Sequence, residues 1–151
     1  MASQLTGLIR AVRHHGIVVS DLEKMLAFYR DTLGFTVAAR MNESGTFIDE
    51  LLGLQNVSVE TVKLAPPEGE AQIELLKFHS HLSHSIKNRE LFTLGPTHVA
   101  LRVVSLDSIF SVLRESGSDF IGKPSLAPSG KAKVVFARDP EGNLLELVEV
   151  M

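Results

Sequence analysis

Short apolar runs rich in β-branched residues alternate along the chain with two stretches of helical periodicity. Residues 13–19, R-H-H-G-I-V-V, read as a buried strand. Asp21 follows where a helix N-cap belongs, its carboxylate able to accept from the open amides of the first turn. Leu22, Met25, Leu26, Tyr29 and Leu33 then recur at helical spacing, and Gly34 closes the helix as a left-handed cap. Phe35 to Arg40 is the next predicted strand. The same order returns later: a strand over Val99 to Val104, a cap at Ser105 or Asp107, a helix face of Ile109, Phe110 and Leu113, and a stop at Gly117.

Each half ends in further strand signals. In the first half they are Val57 to Leu64 and Ala71 to Phe78, parted by the turn-rich P-P-E-G-E; in the second, Lys133 to Ala137 and Asn143 to Val150, parted by D-P-E-G. Asp139-Pro140-Glu141-Gly142 is a strong turn signal, because proline fixes one dihedral and glycine tolerates positive φ. Residues 41–56 are an insertion in the first half, with a short helix possible from Thr46 to Leu52. The order β-α-β-β-β, twice over, predicts an α+β fold with largely antiparallel strands. It forms a single domain over 1–151, with a first module at 8–80 and a second at 95–151.

The repeat becomes explicit on shifting the first half by 84 positions (98 − 14). His14 then falls on His98, Gly16 on Ala100, Val19 on Val103, Leu22 on Leu106 and Arg30 on Arg114. Leucine and valine coincide easily by chance; a histidine, a helix start and a helix end coinciding together do not.

Composition narrows the field. A chain of 151 residues, 44% hydrophobic, can bury a real core. Its net charge of −3 offers no basic field for nucleic acid or an anionic membrane. No apolar run approaches the roughly 20 residues that span a bilayer, and the N-terminus lacks the pattern of a secretory signal. With no cysteine there are neither disulfides nor thiolate ligands. A cytoplasmic protein acting on a small molecule is the expectation.

Each half opens with a strand carrying a histidine and closes with one carrying a glutamate: His14 and Glu74, then His98 and Glu146. Imidazole nitrogen and carboxylate oxygen together suit a divalent ion such as zinc, nickel, cobalt, manganese or iron(II). Either glutamate alone reads as well as a solvated strand residue or an ion-pair partner. Four such residues at equivalent places in two repeats favour a metal, which keeps a carboxylate ionised beside apolar neighbours. His14 and His15 face opposite ways in a regular strand, and the repeat selects His14. His79, His81 and His84 read as a solvated loop leaving a strand.

At these residues the chain resembles the vicinal oxygen chelate superfamily: glyoxalase I, methylmalonyl-CoA epimerase, extradiol dioxygenases and the fosfomycin and bleomycin resistance proteins. The stretches that carry the resemblance are H-H-G-I-V-V-S-D-L-E-K-M-L-A-F-Y-R-D-T-L-G-F at 14–35 and F-A-R-D-P-E-G-N-L-L-E-L-V-E at 136–149. The resemblance implies paired βαβββ modules whose curved sheets surround a metal held by His14, Glu74, His98 and Glu146. It also implies a homodimer.

Four ligands match the lyase and isomerase branches, where the metal chelates vicinal oxygens and stabilises an enediolate or enolate. Glu74 or Glu146 then acts as the catalytic base and acid. The alternatives are an iron(II) extradiol-type dioxygenase using His14, His98 and Glu146, and a metal-independent binding or resistance protein. Where glyoxalase I has an arginine four residues after the first histidine and an asparagine four after the first glutamate, this chain has Val18 and Phe78, which argues against glutathione. Substrate identity is expected to reside in 40–56 and 122–133.

Overall fold

The computed structural model describes residues 8–86 and 89–151. The first module comprises β1 (His14–Val18), α1 (Leu22–Leu26), β2 (Thr36–Ser44), α2 (Thr46–Leu52), β3 (Ser58–Ala65) and β4 (Gln72–Phe78). The second comprises β5 (His98–Val103), α3 (Leu106–Glu115), β6 (Phe120–Leu126), β7 (Ala132–Arg138) and β8 (Leu144–Val150). Each module builds a four-stranded sheet, ordered β1-β4-β3-β2 and β5-β8-β7-β6. The first strand lies parallel to the last, and the remaining pairings are antiparallel. The fold is α+β with two tandem modules, as the repeat predicted.

One face of each sheet is closed by helix. Asp21 accepts from the Lys24 amide at 3.0 Å and Ser105 from the Ser108 amide at 3.3 Å, so both predicted caps operate. Leu22, Met25, Leu26 and Tyr29 of the first module and Leu106 and Leu113 of the second meet Leu75, Leu145 and Leu147 in one continuous core. The two modules are therefore not independent folding units, because each completes the other's apolar face.

The D-P-E-G turn reinforces that union. The Glu141 carboxylate accepts from the backbone amides of Ser20 and Asp21 at 2.8 and 2.6 Å, placing negative charge at the N-terminus of α1. The buried Asp139 accepts from the Tyr29 hydroxyl at 3.0 Å, from the amides of Glu141 and Asn143, and from the Asn143 side chain.

Three elements depart from the sequence expectation. The helix predicted to run from Leu22 to Leu33 is α-helical only to Leu26, and Ala27–Thr32 forms wider π-type turns. The Leu33 amide reaches the Phe28 carbonyl at 3.0 Å. The wider turn lets two adjacent aromatics, Phe28 and Tyr29, both be buried, edge to face at 5.2 Å. Apolar spacing alone does not separate these two helical forms.

β2 runs to Ser44, well past Arg40, because Met41, Asn42, Glu43 and Ser44 pair with Thr61, Glu60, Val59 and Ser58 of β3. Pairing here outweighs the weak strand preference of M-N-E-S. β6 contains Gly122 and Pro124 and shows no alternation. It is an edge strand whose register breaks between Ile121 and Ser125, where the ladder needs no donor from proline. The insertion helix forms where expected, α2 ending at Gly53 with φ of 64°.

Candidate metal centre

Strand alternation and register define the sheet faces turned away from α1 and α3, the first of which α2 covers at its Val59–Phe78 end through Ile48. On the first sheet, His14 and Gly16 share a face with Gln72, Glu74 and Leu76 of β4 and with Thr61 and Lys63 of β3. On the second, His98, Ala100 and Arg102 share a face with Leu144, Glu146 and Val148 of β8 and with Phe136 and Val134 of β7. The opposite faces carry Ile73 and Leu75, and Leu145 and Leu147, into the core. Half-buried polar residues on the outer face are thus a direct result of the period-2 pattern.

Parallel pairing then brings each histidine to its own glutamate. His14 Nε2 lies 3.2 Å from Glu74 Oε2, and His98 Nε2 lies 3.3 Å from Glu146 Oε2. Gly16 is registered against Glu74 and Ala100 against Glu146, so the smallest side chains of β1 and β5 stand beside the carboxylates. At Gly16 a Cβ would meet Leu76 at 3.4 Å.

The environments of the two pairs differ. Glu74 has both oxygens engaged, since Lys63 Nζ lies 3.7 Å from Oε1. Glu146 has only His98 as a charged partner among the described residues, and Phe136 stands edge-on to the His98 ring with centroids 5.1 Å apart. His98 Nδ1 is 2.7 Å from Thr97 Oγ1. In the tautomer that leaves Nε2 free to ligate, Nδ1–H donates to that hydroxyl. Thr97→Val is expected to weaken metal binding by about 10- to 100-fold without unfolding the chain, as read by metal titration and circular dichroism.

The donor set fits a divalent ion. Donors bound at about 2.1 Å and separated by about 90–110° stand about 3.0–3.4 Å apart, the spacing found within each pair. Within one chain, however, the four residues remain two pairs. Among the described residues no group of three or more histidine, aspartate or glutamate side chains is placed to hold one ion. Each pair supplies two candidate donors.

His15 faces away from His14. With Gly16, His84, Thr97, His98 and Asn143 it lines a cavity of about 300 Å³ beside the second pair. His79 leaves β4 at the surface, its Nε2 3.5 Å from Glu60, while His81 meets the Ser80 hydroxyl at 2.7 Å. Hydrogen bonding by Arg40 holds the Glu60 carboxyl below its usual range. These histidines serve local surface networks, in keeping with a loop reading. Lys63, Thr97 and Phe136 escaped the sequence reading as site residues. Only the β3–β4 and β7–β8 registers reveal Lys63 and Phe136, whereas Thr97 could have been suspected from its place beside His98.

A chain with this paired arrangement belongs to the Glyoxalase/Bleomycin resistance protein/Dioxygenase superfamily, whose family model matches residues 11–147. A probable lactoylglutathione lyase of Synechocystis is 28% identical over 137 residues, covering 90% of this chain and 92% of that protein. The lactoylglutathione lyase of Salmonella typhimurium is 26% identical over 136 residues, covering 90% of each chain. A glyoxalase family protein of Bacillus cereus shares the fold with a TM-score of 0.86 at 24% identity, covering 100% of this chain and 99% of its own. No helix among the described residues is long and apolar enough to cross a membrane.

Proposed function

We propose that the protein is a metal-dependent lyase or isomerase that moves a proton on a small substrate bearing vicinal oxygens. The observation that carries this reading is the repetition of one His–Glu pair, Nε2 to carboxylate at 3.2 and 3.3 Å, at equivalent registers of two modules. His14 and Glu74 with His98 and Glu146 would hold zinc, nickel, cobalt or manganese. The ion, when bound, supplies Lewis acidity for two neighbouring substrate oxygens and lowers the cost of the charge that develops as the carbon proton leaves.

The protein's own groups divide the remaining work. Glu146 is the better proton carrier, because it has a single ionic partner, whereas Lys63 and His14 occupy both oxygens of Glu74. Phe136 walls the His98 side with apolar surface and limits water there.

Because one chain holds two half sites, a homodimer completes them: the first-module pair of one copy faces the second-module pair of the other, giving two sites. Phe47 and Leu51 of α2, 71% and 64% exposed, are suited to burial in such an assembly. Mixing tests this. Glu74→Ala and Glu146→Ala chains are each expected to be inactive alone. Refolded together in equal amounts, they are expected to recover about a quarter of wild-type activity, since half the dimers carry one intact site. Bound metal should reappear in step. A mixture that stays metal-free and inactive sinks the shared-site reading. Oxygen uptake with a catechol by the iron-loaded protein would replace proton transfer with dioxygenase chemistry.

A further inference from the structure

The two half sites are not chemically alike at their far ends. Four residues after each histidine the strand presents Val18 in β1 and Arg102 in β5, on the same face as the histidine. Val18 is registered against Leu76, an apolar end, while Arg102 is registered against Val148, one step beyond the Ala100–Glu146 position. Arg102 is exposed and makes no hydrogen bond, ion pair or ring contact among the described residues. The neighbouring charges are accounted for: Glu146 pairs with His98, and Arg138, at the other end of this face, donates to the Gly142 carbonyl at 2.8 Å. Lys63, the cation of the first half site, is 3.7 Å from Glu74.

Guanidinium is a fixed cation with a planar fork of donors suited to a carboxylate, and here no group among the described residues uses it. We infer that Arg102 is a specificity residue that receives an anionic group of the substrate, so that the substrate class is a hydroxy or oxo acid with a second, distal carboxylate. This rests on the metal-site reading above, because it places the reacting carbon beside Glu146. Arg102 lies two residue steps beyond Ala100, about 7 Å along the strand. That offset suits a carboxylate a few carbon atoms from the reacting centre. Val18 and Leu76 make the corresponding end of the first half site apolar, so it offers no second receptor for an anion.

Two probes of equal carbon number isolate the effect: 2-hydroxyglutarate, with a distal carboxylate, and 2-hydroxyvalerate, with a methyl in its place. Calorimetric titration of the protein as purified should give at least about tenfold tighter binding of 2-hydroxyglutarate, the size of one charge-assisted contact. Arg102→Met should abolish that preference while leaving 2-hydroxyvalerate affinity, bound metal and thermal midpoint unchanged, and Arg102→Lys should restore part of it. Equal affinities in the wild type, or a preference that survives Arg102→Met, overturn the inference. Metal content of the same samples separates the two readings. Full metal without discrimination removes the anion role alone, whereas absent metal with discrimination intact removes the metal-site reading and leaves Arg102 as an anion receptor.

Discussion

Glu146→Gln is expected to lower kcat for proton transfer by about 10²- to 10⁴-fold, the span of a lost general base, with KM nearly unchanged. Glutamine keeps an oxygen at the same place, 3.3 Å from His98 in the parent, but cannot accept and return a proton at neutral pH. Glu74→Gln makes the contrast. It removes the charge that meets both His14 and Lys63, so its main effect should fall on metal affinity, and excess metal should recover much of the activity. Steady-state kinetics at saturating metal, with metal equivalents counted in parallel, separate the two outcomes. Equal kcat losses in both variants under those conditions would mean that the two carboxylates share the proton, and an active Glu146→Gln would remove it from the mechanism altogether.

Much of this arrangement is written in local patterns. The strand-borne His14, Glu74, His98 and Glu146 follow from alternation plus an internal repeat, and the caps Asp21 and Ser105 from side-chain chemistry at a helix start. What stays hidden is whatever depends on partners distant in sequence. The Glu43–Val59 and Ser44–Ser58 pairings extend β2 into residues with little strand preference. Burial of Phe28 and Tyr29 together converts a predicted α-helix into a wider one, and an edge position lets β6 carry Pro124. The candidate site behaves the same way. Its histidines and glutamates are legible because the repeat marks them, whereas Lys63 is found only through the register Lys63↔Glu74. Sequence also could not tell that four equivalent residues would form two pairs within one chain, since that depends on how the modules dock through the Leu75, Leu145 and Tyr29 core.

Above pH about 10 the protein is expected to lose stability as ionisation of its single tyrosine comes to favour the unfolded chain. Tyr29 is fully buried and donates to Asp139, and burial first, then the nearby carboxylate, pushes its hydroxyl well above the ordinary value. The native state therefore holds a proton that the unfolded chain gives up near its ordinary pKa. Linkage makes this stabilisation complete below about pH 10 and progressively lost as pH rises further. Asp139 obeys the same sign at the other end of the scale. Burial raises its carboxyl despite the bonds from Asn143, Tyr29 and Glu141 that oppose the shift, so its contribution is present below the ordinary carboxylate range and lost as pH rises through its native value.

Tyr29→Phe removes one buried hydrogen bond and should cost about 1–3 kcal/mol at neutral pH, or about 2–12 °C in thermal midpoint, while flattening the alkaline limb. The chain has one tyrosine and no tryptophan, so near-ultraviolet absorbance of tyrosinate reports this residue alone. Ionisation should appear cooperatively with loss of far-ultraviolet dichroism, not as a smooth titration near pH 10 of a folded protein. A smooth titration with dichroism intact would show that Tyr29 exchanges its proton with solvent in the native state. The Tyr29–Asp139 contact would then not be the lock that joins the π-type turns after α1 to the D-P-E-G turn of the second module.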